Sequence, residues 1–270
     1  MSIAHAAAKA LAMNWSDDGA RVSCVMVTAN RAALARRAVD CFLRQRWANR
    51  ELVVVDDGEQ DYTPLFADIP ADRLIYDRVE KTPETTLGRL RNRTLDLARG
   101  TIVAQWDDDD WYHPDRLARQ VAVLAQGKHA CVLRGTLMHL DAPDWFDHPY
   151  VGTLEPGVPG SIVHRADSTA RYPEKRRGED TDFLAHWPLD RIGVLDAPGL
   201  FVRAFHGSNT WERTHFERRV RNTPAAALEY ALRSLLPGGK WRHSRFRLDP
   251  DTRAAFEAFV ADSRRTGVFA

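Results

Sequence analysis

No apolar run in this chain of 270 residues approaches the ~20 needed to cross a bilayer. Residues 1–20 also lack the long apolar core of a signal peptide, so the chain is expected in the cytoplasm, or peripherally at the inner face of the membrane. Glycine-rich phosphate cradles are missing as well: neither GxGxxG nor GxxxxGKS/T occurs, which disfavours a dinucleotide dehydrogenase and a P-loop NTPase. Without a Gly-x-Ser-x-Gly elbow, Ser/His/Asp hydrolysis has no support either. Cysteine is scarce. Cys24, Cys41 and Cys131 are far apart and set in apolar segments, which predicts buried free thiols rather than a disulfide framework or a zinc site. A net charge of +1 gives no bulk attraction to nucleic acid, and no nucleic-acid module is recognisable.

What is present is an ordinary globular composition, 44% hydrophobic and 28% charged, in a length that suits one large or two small domains. Val22 to Thr28 reads as a strand, followed by a helix with Leu34, Ala38, Cys41 and Phe42 on one face and Asn30 as its cap. The apolar run before Asp56-Asp57-Gly58 reads as a parallel strand buried on both faces and ending in a loop. Leu87, Leu90, Leu95 and Ala98 suit a helix closed by Gly100, with a strand from Thr101 to Trp106 after it. Pro114 starts a helix through Leu117, Val121 and Leu124, and Cys131 to Leu140 is another strand. From Asp141 to Pro173 turn formers dominate, which predicts a loop walling a substrate, with Gly160-Ser161 as a tight turn. A short helical pattern returns at Gly178, and Leu200 to Trp211 reads as a strand running into a turn. Such alternation predicts an α/β domain with a doubly wound, mostly parallel sheet. Ligands of such sheets lie beyond the carboxyl ends of the strands, where Thr28, Asn30, Asp56 and Asp57 fall.

The run Asp107-Asp108-Asp109-Asp110 occupies the third such position, between Trp106 and Trp111-Tyr112. Four adjacent carboxylates repel one another unless a cation neutralises them, and Mg²⁺ or Mn²⁺ prefers oxygen ligands. The plainer alternative is a solvated turn, with Asp110 or Asp115 capping the next helix. The aromatic neighbours are expected in the core. Because no glycine-rich loop is available, a metal held by an Asp-x-Asp after a strand could neutralise a nucleotide diphosphate instead.

Taken in order, Val27-Thr28-Ala29-Asn30-Arg31, Val54-Val55-Asp56-Asp57-Gly58, Leu90-Arg91-Asn92, Asp107 to Asp110 and Gly178-Glu179-Asp180 resemble glycosyltransferase family 2, over roughly residues 20 to 215. The resemblance implies a GT-A fold, Rossmann-like, and an inverting enzyme that moves a sugar from a nucleotide donor, commonly a UDP-sugar, to an acceptor hydroxyl. It implies a donor pocket of Thr28, Asn30, Arg31, Asp56, Asp57, Arg91, Asp107 and Asp108, with Asp56 accepting from the base and Arg91 near the ribose or diphosphate. Asp107 and Asp109 match the family's Asp-x-Asp, with Asp109 on a Mn²⁺ or Mg²⁺ ion, and His206 resembles a late histidine that joins the metal in some members. Asp180 is implied as general base, with Glu179 second and Asp182 third.

The corresponding division is an N-terminal tail (1–20), a catalytic domain (21–215) with a nucleotide half to about 115 and an acceptor half from about 116, and a basic C-terminal helical extension (216–270). Arg203 to Arg247 holds ten Lys/Arg against three Glu, with Trp211, Phe216, Trp241 and Phe246 interleaved. This stretch suits either a solvated helical extension or contact with an anionic membrane or a lipid-linked glycan acceptor. Polysaccharide or glycan synthesis is the expected setting; the competing readings are a nucleotidyltransferase and a non-catalytic nucleotide-sugar binding module.

Overall fold

The structure is a computed structural model that describes residues 19–209 and 211–269; the expected tail lies almost wholly outside the described residues. One mixed sheet organises it, in the order β3-β2-β1-β4-β7-β6-β9-β5, with β8 also paired to β6. β1 (Val22–Thr28), β2 (Arg50–Asp56), β3 (Leu74–Arg78) and β4 (Ile102–Gln105) run parallel. Beyond β4 the sheet turns mixed: β7 (Tyr150–Arg165) is antiparallel to β4 and to β6 (Ala130–Leu140), which is parallel to β8 (Ile192–Leu195) and β9 (Phe201–Phe205). The two-residue β5 (Trp111–Tyr112) closes the edge on β9.

Helices α1 (Ala32–Leu43), α2 (Leu87–Leu97) and α3 (Arg116–Ala125) follow β1, β3 and β5. α1 buries Ala35, Ala38, Cys41 and Phe42 in the same core cluster as Cys24 and Met26 of β1 and Leu52 and Val54 of β2. β1 is the switch point: the chain leaves it for β2 and β3 on one side and returns through α2 to β4 on the other, which opens a crevice beyond the ends of β1 and β4. All three cysteines are buried and free, and Trp106, Trp111 and Tyr112 are buried in the core as expected.

Four strands, β3, β5, β7 and β8, depart from the sequence expectation. β3, β5 and β8 are too short for the apolar pattern to assign an element there, and β7 runs through the segment expected to be a loop walling a substrate. Pro156, Gly157 and Pro159 lie within β7, and register shifts against β6 between Cys131 and Gly135 absorb the missing ladder hydrogen bonds. Gly157 is required there, since a Cβ would stand 2.2 Å from Val132 Cγ2. Gly160 and Ser161 are accordingly strand residues and not a tight turn.

The C-terminal stretch divides in two. α5 (Arg213–Arg218) packs on β6 and α6 (Pro224–Ser234) on the short helical turns Arg219–Arg221 and Gly239–Arg242, whereas α7 (Pro250–Arg265) returns to the main core. Asp262 of α7 accepts from Trp111 Nε1 at 2.7 Å and from Arg44 at 2.9 Å, and Ser263 Oγ accepts from Arg37 at 2.9 Å. The other arm of Arg37 donates to the Asp109 carbonyl at 2.5 Å. The end of the chain thus braces the acidic loop from behind.

Candidate active site

A cavity of about 350 Å³, within the usual range for a ligand pocket, lies beyond the ends of β1 and β4. Thr28, Arg31, Asp57, Arg91, all four carboxylates from Asp107 to Asp110, Glu179 and Asp180 line it. Thr28 and Asp180, 152 positions apart in sequence, therefore share one wall system, because strand ends and the start of α4 (Glu179–Leu184) converge there.

Each acid has its own environment. Asp108 is 1% exposed, accepts from Thr28 Oγ1 at 2.7 Å and pairs with Arg31 at 2.7 Å. Burial pushes its carboxyl up to about 7, against the pull of Arg31. Asp109 also suffers burial, but the His206 hydrogen bond and the Arg31 charge outweigh it and hold the carboxyl well below the usual range. Asp110 lacks such support; burial, then the neighbouring Asp109, raise it strongly. Asp107 pairs with Arg91 at 2.8 Å and receives Gln105 Nε2 at 3.1 Å. Arg91 simultaneously donates to Glu179 at 3.0 Å, so one buried guanidinium bridges α4 to the acidic loop.

Asp180 differs. Its Oδ1 accepts from the N–H of its neighbour Thr181 at 2.8 Å, and its side chain faces the cavity. Asp182 points to the outside, in an ion pair with Lys175. Gly160 of β7 lies between the two key carboxylates: a Cβ there would stand 3.6 Å from Asp107 Oδ2 and 3.9 Å from Asp180 Oδ2.

Of the residues expected in the donor pocket, Asp57 lines the cavity, whereas Asp56 and Asn30 do not. Asp56 is fully buried and accepts from Gly58 N and Tyr76 Oη, both at 2.8 Å; Asp57 is the one of the pair on the cavity wall, 3.6 Å from Lys81. Asn30 does not cap α1. With a φ of 53° it turns its Oδ1 onto the backbone N–H groups of Glu59 and Gln60, and Gly58 is needed because a Cβ would stand 2.7 Å from Asn30 N. Nor do the side chains of Asp110 or Asp115 cap α3.

His206 follows β9 and brings Nε2 to 3.3 Å from Asp109 Oδ2, while Ser208 Oγ holds its Nδ1 at 2.9 Å and Asn209 braces the turn. A carboxylate and an imidazole, the latter oriented through its other nitrogen, form a donor pair that suits Mn²⁺, whereas Mg²⁺, which takes oxygen ligands, would rest on the carboxylate alone. Among the described residues no three His, Cys, Asp or Glu side chains form a complete cage. The remaining positions would fall to diphosphate oxygens and water, the usual arrangement for ions that bridge protein and phosphate. Asp107, engaged with Arg91, stands apart from this pair.

Arg203 of β9, counted in the sequence with the basic C-terminal stretch, instead lines the cavity, where Asp110, Asp180, Asp107 and Asp109 raise its pKa against burial. Lys81, Arg176, Arg177 and Trp211 complete the wall. The sequence signal for Arg203 was its place near the end of a strand that leads to His206.

Residues 23–177 match the sequence profile described as Glycosyl transferase family 2. The protein named as glycosyltransferase EpsE in Bacillus subtilis (strain 168) is 30% identical over 224 residues, covering 76% of this chain and 80% of its own. The succinoglycan biosynthesis protein ExoO of Rhizobium meliloti (strain 1021) is 37% identical over 101 residues, 37% of this chain and 28% of its own length. The fold is shared with S. aureus TarS 1-349 in complex with UDP-GlcNAc, at TM-score 0.56, 17% identity and coverage of 91% and 81%. It is shared too with the mannosyltransferase PcManGT of Pyrobaculum calidifontis in complex with GDP-Man and Mn²⁺, at TM-score 0.52, 17% identity and coverage of 96% and 82%. Profile, relatives and architecture agree with the cavity at the strand ends: the chain belongs to glycosyltransferase family 2 and is an α/β enzyme of the GT-A type.

Proposed function

We propose that the protein is an inverting, divalent-metal-dependent transferase that moves a sugar from a UDP-sugar to an acceptor hydroxyl in polysaccharide or glycan assembly, on a glycan or lipid-linked acceptor. The observation that carries the reading is the separation of the carboxylates: Asp57, Asp107, Asp108, Asp109 and Glu179 are ion-paired and Asp110 is buried with its carboxyl raised, while Asp180 faces the cavity with only the adjacent Thr181 as hydrogen-bond partner among the described residues.

In this reading Asp57 and the end of β1 hold the nucleoside, and Asp109 with His206 would hold Mn²⁺, which when bound supplies positive charge to the departing diphosphate. Arg91 orients Asp107 toward the donor, and Arg203 adds a cation on the far wall. Asp180 takes the acceptor proton as the oxygen attacks the anomeric carbon from the face opposite the leaving group. Glu179, one residue earlier, is spent on Arg91 and cannot serve this role without breaking that pair. Support for the donor class comes from the UDP-GlcNAc and GDP-Man complexes of the structural neighbours, and for the setting from the succinoglycan relative.

The test is incubation of the purified protein with Mn²⁺, candidate acceptors and a panel of UDP-, GDP- and dTDP-sugars, reading free nucleoside diphosphate. UDP release with one UDP-sugar is the expected result. Release of pyrophosphate would indicate nucleotidyl transfer, and binding without turnover a non-catalytic module.

A further inference from the structure

Leu228, Leu232, Leu235 and Leu236 are 62%, 55%, 83% and 52% exposed and run from the middle of α6 into the turn after it. Spacings of four, three and one place them on one side of a helix. α6 is fixed through its other side: Ala226 is buried, its carbonyl meets His243 Nε2 at 3.0 Å, and Glu229 accepts from Ser244 N and Oγ at 2.9 and 2.6 Å. The leucines are thus held outward by a tethered helix.

The surroundings of this ridge are cationic. In the same stretch of chain Arg218, Arg221 and Arg242 are exposed, while half-buried Arg233 pairs with Glu229 at 3.7 Å and half-buried Lys240 lies over the rings of Trp145 and Trp241. The nearby acids are already engaged, Glu229 with Ser244 and Glu217 with Arg213 at 2.7 Å. The aromatic residues that the sequence offered for a surface contact are placed elsewhere: Trp211 is on the cavity wall, Phe216 is buried, and Trp241 and Phe246 pack on Trp145 with ring centres 5.0 and 6.1 Å away.

We infer that the leucine ridge of α6 and its rim of arginines dock on an anionic phospholipid bilayer, with the leucines at the acyl boundary and the cations at the phosphates. No described helix is long and apolar enough to cross a membrane, so the contact is with one leaflet. A second copy of the chain fits less well, because ridge-to-ridge contact would set Arg221, Arg233 and Arg242 near their own counterparts. The ridge lies outside the cavity lining, so the inference does not rest on the proposed donor or base.

The test uses the full chain in flotation with vesicles of phosphatidylglycerol and phosphatidylcholine. Binding is expected at low salt, with a loss of at least about tenfold when Leu228, Leu232, Leu235 and Leu236 are all changed to Ser, and similarly at high salt or on phosphatidylcholine alone. As a second measurement, Leu235→Cys is labelled with an environment-sensitive dye, selectively because Cys24, Cys41 and Cys131 are buried; its emission should shift to the blue on anionic vesicles. Absence of flotation, an unshifted dye, equal binding to neutral vesicles or unchanged binding by the serine variant overturns the inference. So does a dimer, seen by light scattering, that the serine variant breaks while vesicles bind neither protein.

Discussion

At the scale of single residues, the cavity assigns different work to chemically identical groups. Seven carboxylates line it, and partners sort five of them: Asp108 binds the end of β1, Glu179 and Asp107 share Arg91, Asp109 meets His206 and Asp57 meets Lys81, which leaves Asp110 buried and Asp180 facing the cavity. Asp180→Asn keeps shape and hydrogen-bonding capacity but cannot take a proton at neutral pH. Turnover should fall about 10²–10⁴-fold while donor affinity by calorimetry stays within a factor of two to three of the parent. If that variant stays active and Glu179→Gln or Asp182→Asn does not, the base belongs at the sensitive position. Gly160 supplies a companion prediction. Gly160→Val adds branched carbons where even a single Cβ would already touch Asp107 and Asp180, so acceptor turnover should drop at least about tenfold with little change in melting temperature. Normal kinetics in that variant would show that the acceptor does not pass between these two acids.

At the scale of elements, the parallel half of the sheet was legible because β1, β2 and β4 are short apolar runs ending in polar loops, and α1, α2 and α3 carry one apolar face each. β7 was not legible: its prolines and glycines signal turns locally, and only pairing with β6 and β4 makes them strand. Asp56 and Asp57 illustrate the same limit within the site, since a dipeptide does not reveal which carboxylate Tyr76, twenty residues later, will cover. Nor did local pattern show that α7 joins the main core. There His139 of β6 is buried among Phe146, Phe256, Phe259 and Phe269, with ring centres 4.8 to 5.6 Å away. Burial lowers its pKa to about 4, beneath the ordinary 6.5. The unfolded chain therefore takes the proton first on acidification. The neutral ring's contribution is complete above pH 6.5 and is lost between 6.5 and 4, on the order of 3 kcal/mol. Denaturant melts of wild type and His139→Phe across that range should show a shallower loss in the variant; parallel curves would remove His139 as a source of acid sensitivity.

At the scale of the whole molecule, a net charge of +1 conceals a cavity in which Arg31, Lys81, Arg91, Arg176, Arg177 and Arg203 face seven carboxylates. With every group charged the lining is slightly negative, which opposes a diphosphate donor by long-range repulsion even where single arginines attract it. Raised carboxyls at Asp108 and Asp110 offset this small excess, and a divalent ion at Asp109 and His206 would concentrate positive charge at the point where the phosphates must lie. Chelation of divalent ions should therefore weaken donor binding at least about tenfold, and Mn²⁺ should restore it. Asp109→Asn removes one hard ligand from a pair and should abolish most of that restoration while the fold, read by circular dichroism, survives. Asp107→Asn should behave differently, because its partner is Arg91: turnover falls, yet Mn²⁺ continues to strengthen donor binding. Equal loss of the Mn²⁺ effect in both variants would place Asp107 on the ion as well, and an undiminished effect in Asp109→Asn would remove Asp109 from it.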